Sequence, residues 1–215
     1  MATTTGPVLS ISARGTVGKT LTYSAWKGIN YVRQRVIPAN PKSIAQEANR
    51  NLMRWVHDAY KYLPATVQEP WVEYVKGQPM TPANAWQQAN QVALKGATDL
   101  TNIVFAKPVR SGPPCPSITV TPGTASLTVA AGTPSIITGW TITYMCAIAM
   151  KNVAPTGEME MVISVAGTHT TTPYSVTISG LTTAQAYMCG AFYKYLRPDG
   201  LVAFGASLNH AGTPT

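Results

Sequence analysis

The chain has 215 residues, a formal net charge of +8 and a mean hydropathy of +0.03. That length suits one large or two small domains, and no apolar run is long enough to span a bilayer. Cys115, Cys146 and Cys189 cannot all pair within one chain, and their spacing matches no zinc pattern.

The opening MATTTGPVLSISARG lacks the basic-then-apolar order of a secretory signal. The three cysteines therefore read as thiols from a reducing cytoplasm. Residues 1–114 hold 13 Lys or Arg against 5 Asp or Glu, while residues 115–215 hold 3 against 3. A basic N-terminal half suits docking on nucleic acid or an acidic protein lattice, and it equally suits plain solvation.

Residues 1–13 read as an extended arm. Residues 13–20, ARGTVGKT, fit the loosest form of a phosphate-binding loop. Such a loop needs a helix after it, whose N-terminus faces the phosphates. Here the following residues, LTYSAW, favour strand, so the reading is a glycine turn feeding a β-ribbon, with no nucleotide and no cofactor.

The ribbon pairs a strand over Leu21–Trp26 with one over Ile29–Ile37 through the connection Lys27-Gly28. Alternation puts Tyr31, Arg33 and Arg35 on one face and Val32, Gln34 and Val36 on the other. A lone ribbon is marginal in water, so it is expected to lie on its own helices, on a neighbouring copy, or on both. Its basic and aromatic residues, Lys19, Tyr23, Trp26, Lys27, Tyr31, Arg33 and Arg35, with Arg50 on the helix beyond, are the candidate subunit or particle contacts.

Asn40 as N-cap and Pro41 at the first helical position open a helix expected over 41–63. Pro64 stops it. Thr66 and Glu69 have capping-box spacing, and a short helix through Trp71 and Val75 ends at Gly77. Thr81-Pro82 starts a third helix that runs to Lys95, with Gly96 as its cap. Trp55, Trp71 and Trp86 are expected to meet in a small core.

Residues 107–116, KPVRSGPPCP, read as a semi-rigid proline-rich linker between two separately folding domains, 1–106 and 117–215. Beyond it the pattern changes to short strands: Ser117–Val120, Ser126–Ala130, Trp140–Ala149, Glu158–Val165, Tyr174–Ser179, Ala186–Tyr195 and Leu201–Ser207. Seven strands in about a hundred residues point to a sandwich. The expected fold class is α+β: a β-hairpin plus three helices, then a seven-stranded immunoglobulin-like β-sandwich. No nucleophile–histidine set, paired acid and base or metal cluster stands out. His57, His169 and His210 are isolated, so no catalytic or metal-binding residue is assigned and no enzyme is expected.

The run TISGLTTAQAYMCGAFYKYLRPDGLVAFGAS resembles the end of a fibronectin type III module. Leu181 and Tyr187, six residues apart, look like that family's leucine and corner tyrosine, which implies that the phenol ties its strand to the preceding loop. The resemblance implies a fold and a binding or spacer role, not a chemistry.

The run TYSAWKGINYVR followed by NPKSIAQEANR resembles small tailed-phage virion proteins. It implies a structural virion component, made in the host cytoplasm. Its partners would be a major capsid protein or tail and neck proteins, together with further copies of the chain. Capsid decoration is the first expectation, and a tail, neck or baseplate ring or fibre-attachment protein the second. A carbohydrate-binding adhesin and a nucleic-acid binder using Arg33, Arg35, Lys42, Arg50 and Arg54 stand as rivals.

Overall fold

The computed structural model describes residues 14–27, 29–37, 39–40, 42–154 and 163–215. The chain divides into two units, residues 1–43 and 44–215.

In the first unit the backbone turns back twice. β1 (Gly15–Val17), β2 (Leu21–Trp26) and β3 (Ile29–Gln34) form an antiparallel sheet in that order. Gly18 and Lys19 both sit at φ 58°, so the chain reverses in the left-handed region between β1 and β2. The expected ribbon is therefore three-stranded, because Gly15–Val17 is a strand and not part of a loop. β3 ends at Gln34, short of the expected Ile37, and Arg35 closes the sheet by donating its N–H to the Thr20 carbonyl at 2.6 Å.

The second unit is α+β. α1 (Ile44–Tyr62), α2 (Ala65–Tyr74) and α3 (Pro82–Ala93) precede eight strands among the described residues. α1 begins three residues later than expected. Lys42 holds φ 41°, a left-handed backbone that cannot belong to the helix, so Asn40 lies ahead of the helix and is not its cap. Pro41 lies outside the described residues. α2 also departs from its expected start: its N-cap is Pro64, and the Glu69 carboxylate turns away to other elements. α3 starts as expected, with the Thr81 hydroxyl accepting from Asn84 N–H at 3.2 Å and Pro82 at the first turn.

β6 (Thr141–Lys151) and β9 (Tyr187–Leu196) pair through ten residues and form the centre of the larger sheet. β7 (Ile163–His169) flanks β6, while β10 (Val202–Phe204) and β11 (Leu208–Gly212) both pair with β9. Of the expected last strand over Leu201–Ser207 only Val202–Phe204 is strand, and Leu208–Gly212, beyond the expected range, is a further one. β4 (Ile118–Gly123), β5 (Ser126–Ala131) and β8 (Ser175–Ser179) make a second, three-stranded sheet. The expected strand over Glu158–Val165 falls partly on residues 155–162, outside the described residues; Ile163–His169 is strand.

The central strands are buried on both faces. Met145, Ala147 and Ala149 of β6, with Cys189, Ala191 and Tyr193 of β9, pack with Leu127, Val129 and Ile178 of the smaller sheet. Their alternate neighbours Cys146, Ile148, Met150, Met188 and Phe192 join Trp55, Trp71 and Trp86 in a second core. Gly190 shows why the layers fit: a Cβ there would lie 2.2 Å from Phe105 Cδ2, so only glycine leaves room for that ring against β9. The three tryptophans meet as expected, with Trp71 and Trp86 edge to face at 5.4 Å.

The division expected at 107–116 is therefore not the one observed. The helices and the larger sheet share one core, and the proline-rich stretch lies along that sheet. Val109 exchanges backbone hydrogen bonds with Phe204 at 2.9 and 3.2 Å. Tyr195 Oη donates to the Pro113 carbonyl at 3.0 Å. Proline cannot donate to a ladder, yet its carbonyl still accepts, so such a stretch suits a sheet margin.

The three thiols are free and buried. Cys146 belongs to the helix-side core and Cys189 to the inter-sheet core, so neighbouring strands hold them on opposite faces, out of bonding geometry. Burial pushes their pKa values up, to about 11 for Cys115 and about 12 for Cys146 and Cys189. At neutral pH the nucleophilic thiolate is scarce. Iodoacetamide is expected to leave all three unlabelled in the folded chain and to label all three in denaturant. Rapid labelling of the folded chain would contradict the burial.

Candidate functional site

Within residues 17–37 the first unit exposes eight large apolar side chains, and its register decides which of them meet. Trp26 pairs with Ile29, Ser24 with Tyr31 and Thr22 with Arg33, so these six share one face. Val17, Leu21, Tyr23, Ala25 and Val32 fall on the other. On the first face Trp26, Ile29, Tyr31 and Arg33 line a shallow groove of about 350 Å³. Trp26 is 66% exposed and Ile29 70%. Lys27 Nζ lies 4.7 Å from the Trp26 ring centroid, and the Arg33 guanidinium lies 6.0 Å from that of Tyr31. Each cation is therefore held against an aromatic ring, at a separation worth about 0.5–1 kcal/mol on a wet surface.

The structure thus brings Trp26, Lys27, Tyr31 and Arg33 together. It places Lys19 in the opposite hairpin turn, with Arg35 beside it through the Thr20 contact. Six residues of strand separate that turn from Lys27, roughly 17–20 Å. Tyr23 lies on the other face. Arg50 lies on α1, in the second unit. Because Leu21–Trp26 is a strand, the GKT run presents no helix N-terminus to a phosphate.

A polar cluster that the sequence did not suggest ties α2 to the larger sheet. Glu69 accepts from Tyr144 Oη at 2.6 Å and pairs with Lys194. Lys194 Nζ also lies 5.1 Å from the Tyr144 ring centroid. Burial, and then the Glu69 carboxylate, push the Tyr144 phenol pKa upward. Glu73 pairs with Lys76 and, at 3.0 Å, with Arg110, which also reaches the Val202 carbonyl. The two Glu69 contacts join residues 75 and 125 positions apart and Glu73–Arg110 joins residues 37 apart, beyond any local spacing rule. They are acceptor–donor matches that satisfy an interface between α2 and the larger sheet. Among the described residues no group of three or more His, Cys, Asp or Glu is placed to hold a metal ion. No described helix is long and apolar enough to cross a membrane.

Leu181 and Tyr187 are both buried, and Tyr187 Oη accepts from Thr182 N–H at 3.0 Å, which anchors β9 to the loop before it. Tyr187→Phe is expected to cost about 1–2 kcal/mol, read as a lower melting temperature of the full chain. An unchanged melt would deny that bond any weight.

No family model matches the chain, and no curated protein matches it. A solved structure described as "Myokine structure" is similar over 48% of this chain and 100% of its own, at 15% identity and a TM-score of 0.33.

Proposed function

We propose that the chain is a non-enzymatic structural component of a tailed bacteriophage particle, docking through its N-terminal sheet and presenting the second unit outward. Capsid decoration is the first reading. The observation that carries the docking role is the first unit itself. It is a three-stranded sheet with large apolar side chains exposed on both faces, among them Trp26, Ile29, Leu21 and Val32. So small a sheet has little core of its own, and contiguous exposed apolar surface marks an interaction site. The virion reading rests on the resemblance of TYSAWKGINYVR and NPKSIAQEANR to phage proteins.

The second unit suits a projecting module. Its strand orders, β4-β5-β8 and β10-β9-β6-β7, together with the Tyr187 anchor, support an immunoglobulin-like sandwich with β11 as a further strand on β9.

Copy number per particle, measured by quantitative mass spectrometry of purified virions, tests the assignment. Hundreds of copies support shell decoration. Six or twelve move the chain to the tail or neck, and none removes the virion reading. Val32→Pro, which disturbs the β3 edge, is expected to leave the second unit folded and to abolish incorporation. Incorporation of that variant at the normal copy number would place the contact elsewhere.

A further inference from the structure

The first unit has a charge pattern sharper than that of its half of the chain. Residues 1–43 contain six cations, Arg14, Lys19, Lys27, Arg33, Arg35 and Lys42, and no Asp or Glu. The sheet these residues flank exposes apolar side chains on both faces. Val17, Leu21 and Val32 are 39%, 41% and 51% exposed on one, and Trp26 and Ile29 are the most exposed on the other.

We infer that this sheet is received by a different polypeptide, one whose apolar cleft is rimmed with Asp and Glu, and not by a second copy of the same sheet. The inference rests on the assembly reading above and narrows it to the partner's chemistry. Two copies of the sheet stacked or paired edge to edge would bring two all-cationic rims together without one carboxylate to offset them. Like charges juxtaposed across an interface oppose association. Single-stranded nucleic acid would satisfy the cations and stack on Trp26 and Tyr31. It would leave the Val17, Leu21 and Val32 face in water. A protein cleft covers both faces, its carboxylates meet Lys19 and Arg35 at one end of the sheet and Lys27 at the other, and main-chain pairing to the β3 edge is open to it.

The test is zero-length carbodiimide coupling, which joins lysine amines to carboxylates in contact, on the native assembly isolated through a tag after Thr215. Products are mapped by mass spectrometry. Coupling of Lys19 and Lys27 to Asp or Glu of a different polypeptide is the expected result. Coupling of Lys19 and Lys27 confined to carboxylates of this chain, in the same or another copy, would overturn the inference. Coupling at Lys61 or Lys76 but at neither Lys19 nor Lys27, or release of the chain by nuclease, would overturn it in favour of open solvent or nucleic acid. The double variant Lys19→Glu, Lys27→Glu is expected to lower retention in the assembly tenfold or more, while Lys61→Glu on α1 leaves it unchanged. Equal retention of all three proteins also counts against it. The outcomes separate from the virion reading: a foreign partner that is no virion protein keeps this inference and removes that reading. A normal copy number in virions with coupling only to self does the reverse.

Discussion

A fragment spanning residues 117–215 is expected not to fold, although strand spacing alone marks it as a domain. In the full chain Ile148, Met150, Met188, Phe192 and Phe204 face the helices and are at most 2% exposed. Removing α1, α2 and α3 would place all five in water. At about 1.5–3 kcal/mol for each buried side chain of this size, the loss is roughly 7–15 kcal/mol, comparable to the whole stability of an ordinary domain at about 5–15 kcal/mol. The Glu69–Lys194 and Glu73–Arg110 pairs go as well, leaving Lys194 over apolar rings without its carboxylate. The fragment should bind a hydrophobic dye and show no cooperative melt. A fragment spanning 44–215 should melt close to the full chain, since the unit boundary falls after Ser43. A cooperative melt for 117–215 would mean that the helices are an accessory layer.

Trp71→Ala is expected to lower the stability of the second unit by about 3–5 kcal/mol. Trp71 is fully buried, touches Trp86 edge to face, and donates its indole N–H to the Phe105 carbonyl at 2.9 Å. Truncation opens a cavity and also orphans that carbonyl. Phe105 in turn lies against Gly190, so the cavity opens next to the sheet centre. For a unit of this size each kcal/mol moves the melting temperature by about 2–4 °C, so a drop of roughly 6–20 °C should appear by calorimetry. Trp71→Phe keeps much of the volume and should fall between the two. A drop under about 3 °C for the alanine variant would show that the helix–sheet core collapses around the loss.

Local signals in the sequence carried well. The Lys27-Gly28 connection, the Thr81-Pro82 helix start and the apolar runs MCAIAM and YMCGAFYKY are all short-range, and the elements they mark are present. The same two runs also carry a signal of two-sided burial that the sandwich reading left unused, because an unbroken apolar strand has no face for solvent. What they could not reveal was which element covers the second face. That depends on Phe105 meeting Gly190, a match between residues far apart in the chain. The proline-rich stretch misled for a related reason. Prolines announce a break in regular structure, but the accepting carbonyls of that stretch let it run beside the sheet and hydrogen-bond there. At the candidate surface the residue types were legible and the pairing of Trp26 with Ile29 followed from the turn. Strand β1 was not legible, because Gly15-Thr16-Val17 ahead of Gly18 looks like loop until a partner strand is known.

The concentration of cations in residues 1–43 has a kinetic side. For a partner of opposite sign, these charges act at a distance, before contact, and speed the encounter. Their reach shrinks to about 8 Å at physiological ionic strength. The apolar faces act only at contact and govern how long the complex lasts. Raising salt should therefore slow loading of the chain while barely affecting chains already seated, so that an assembly made in dilute buffer keeps its full complement when the salt is later raised.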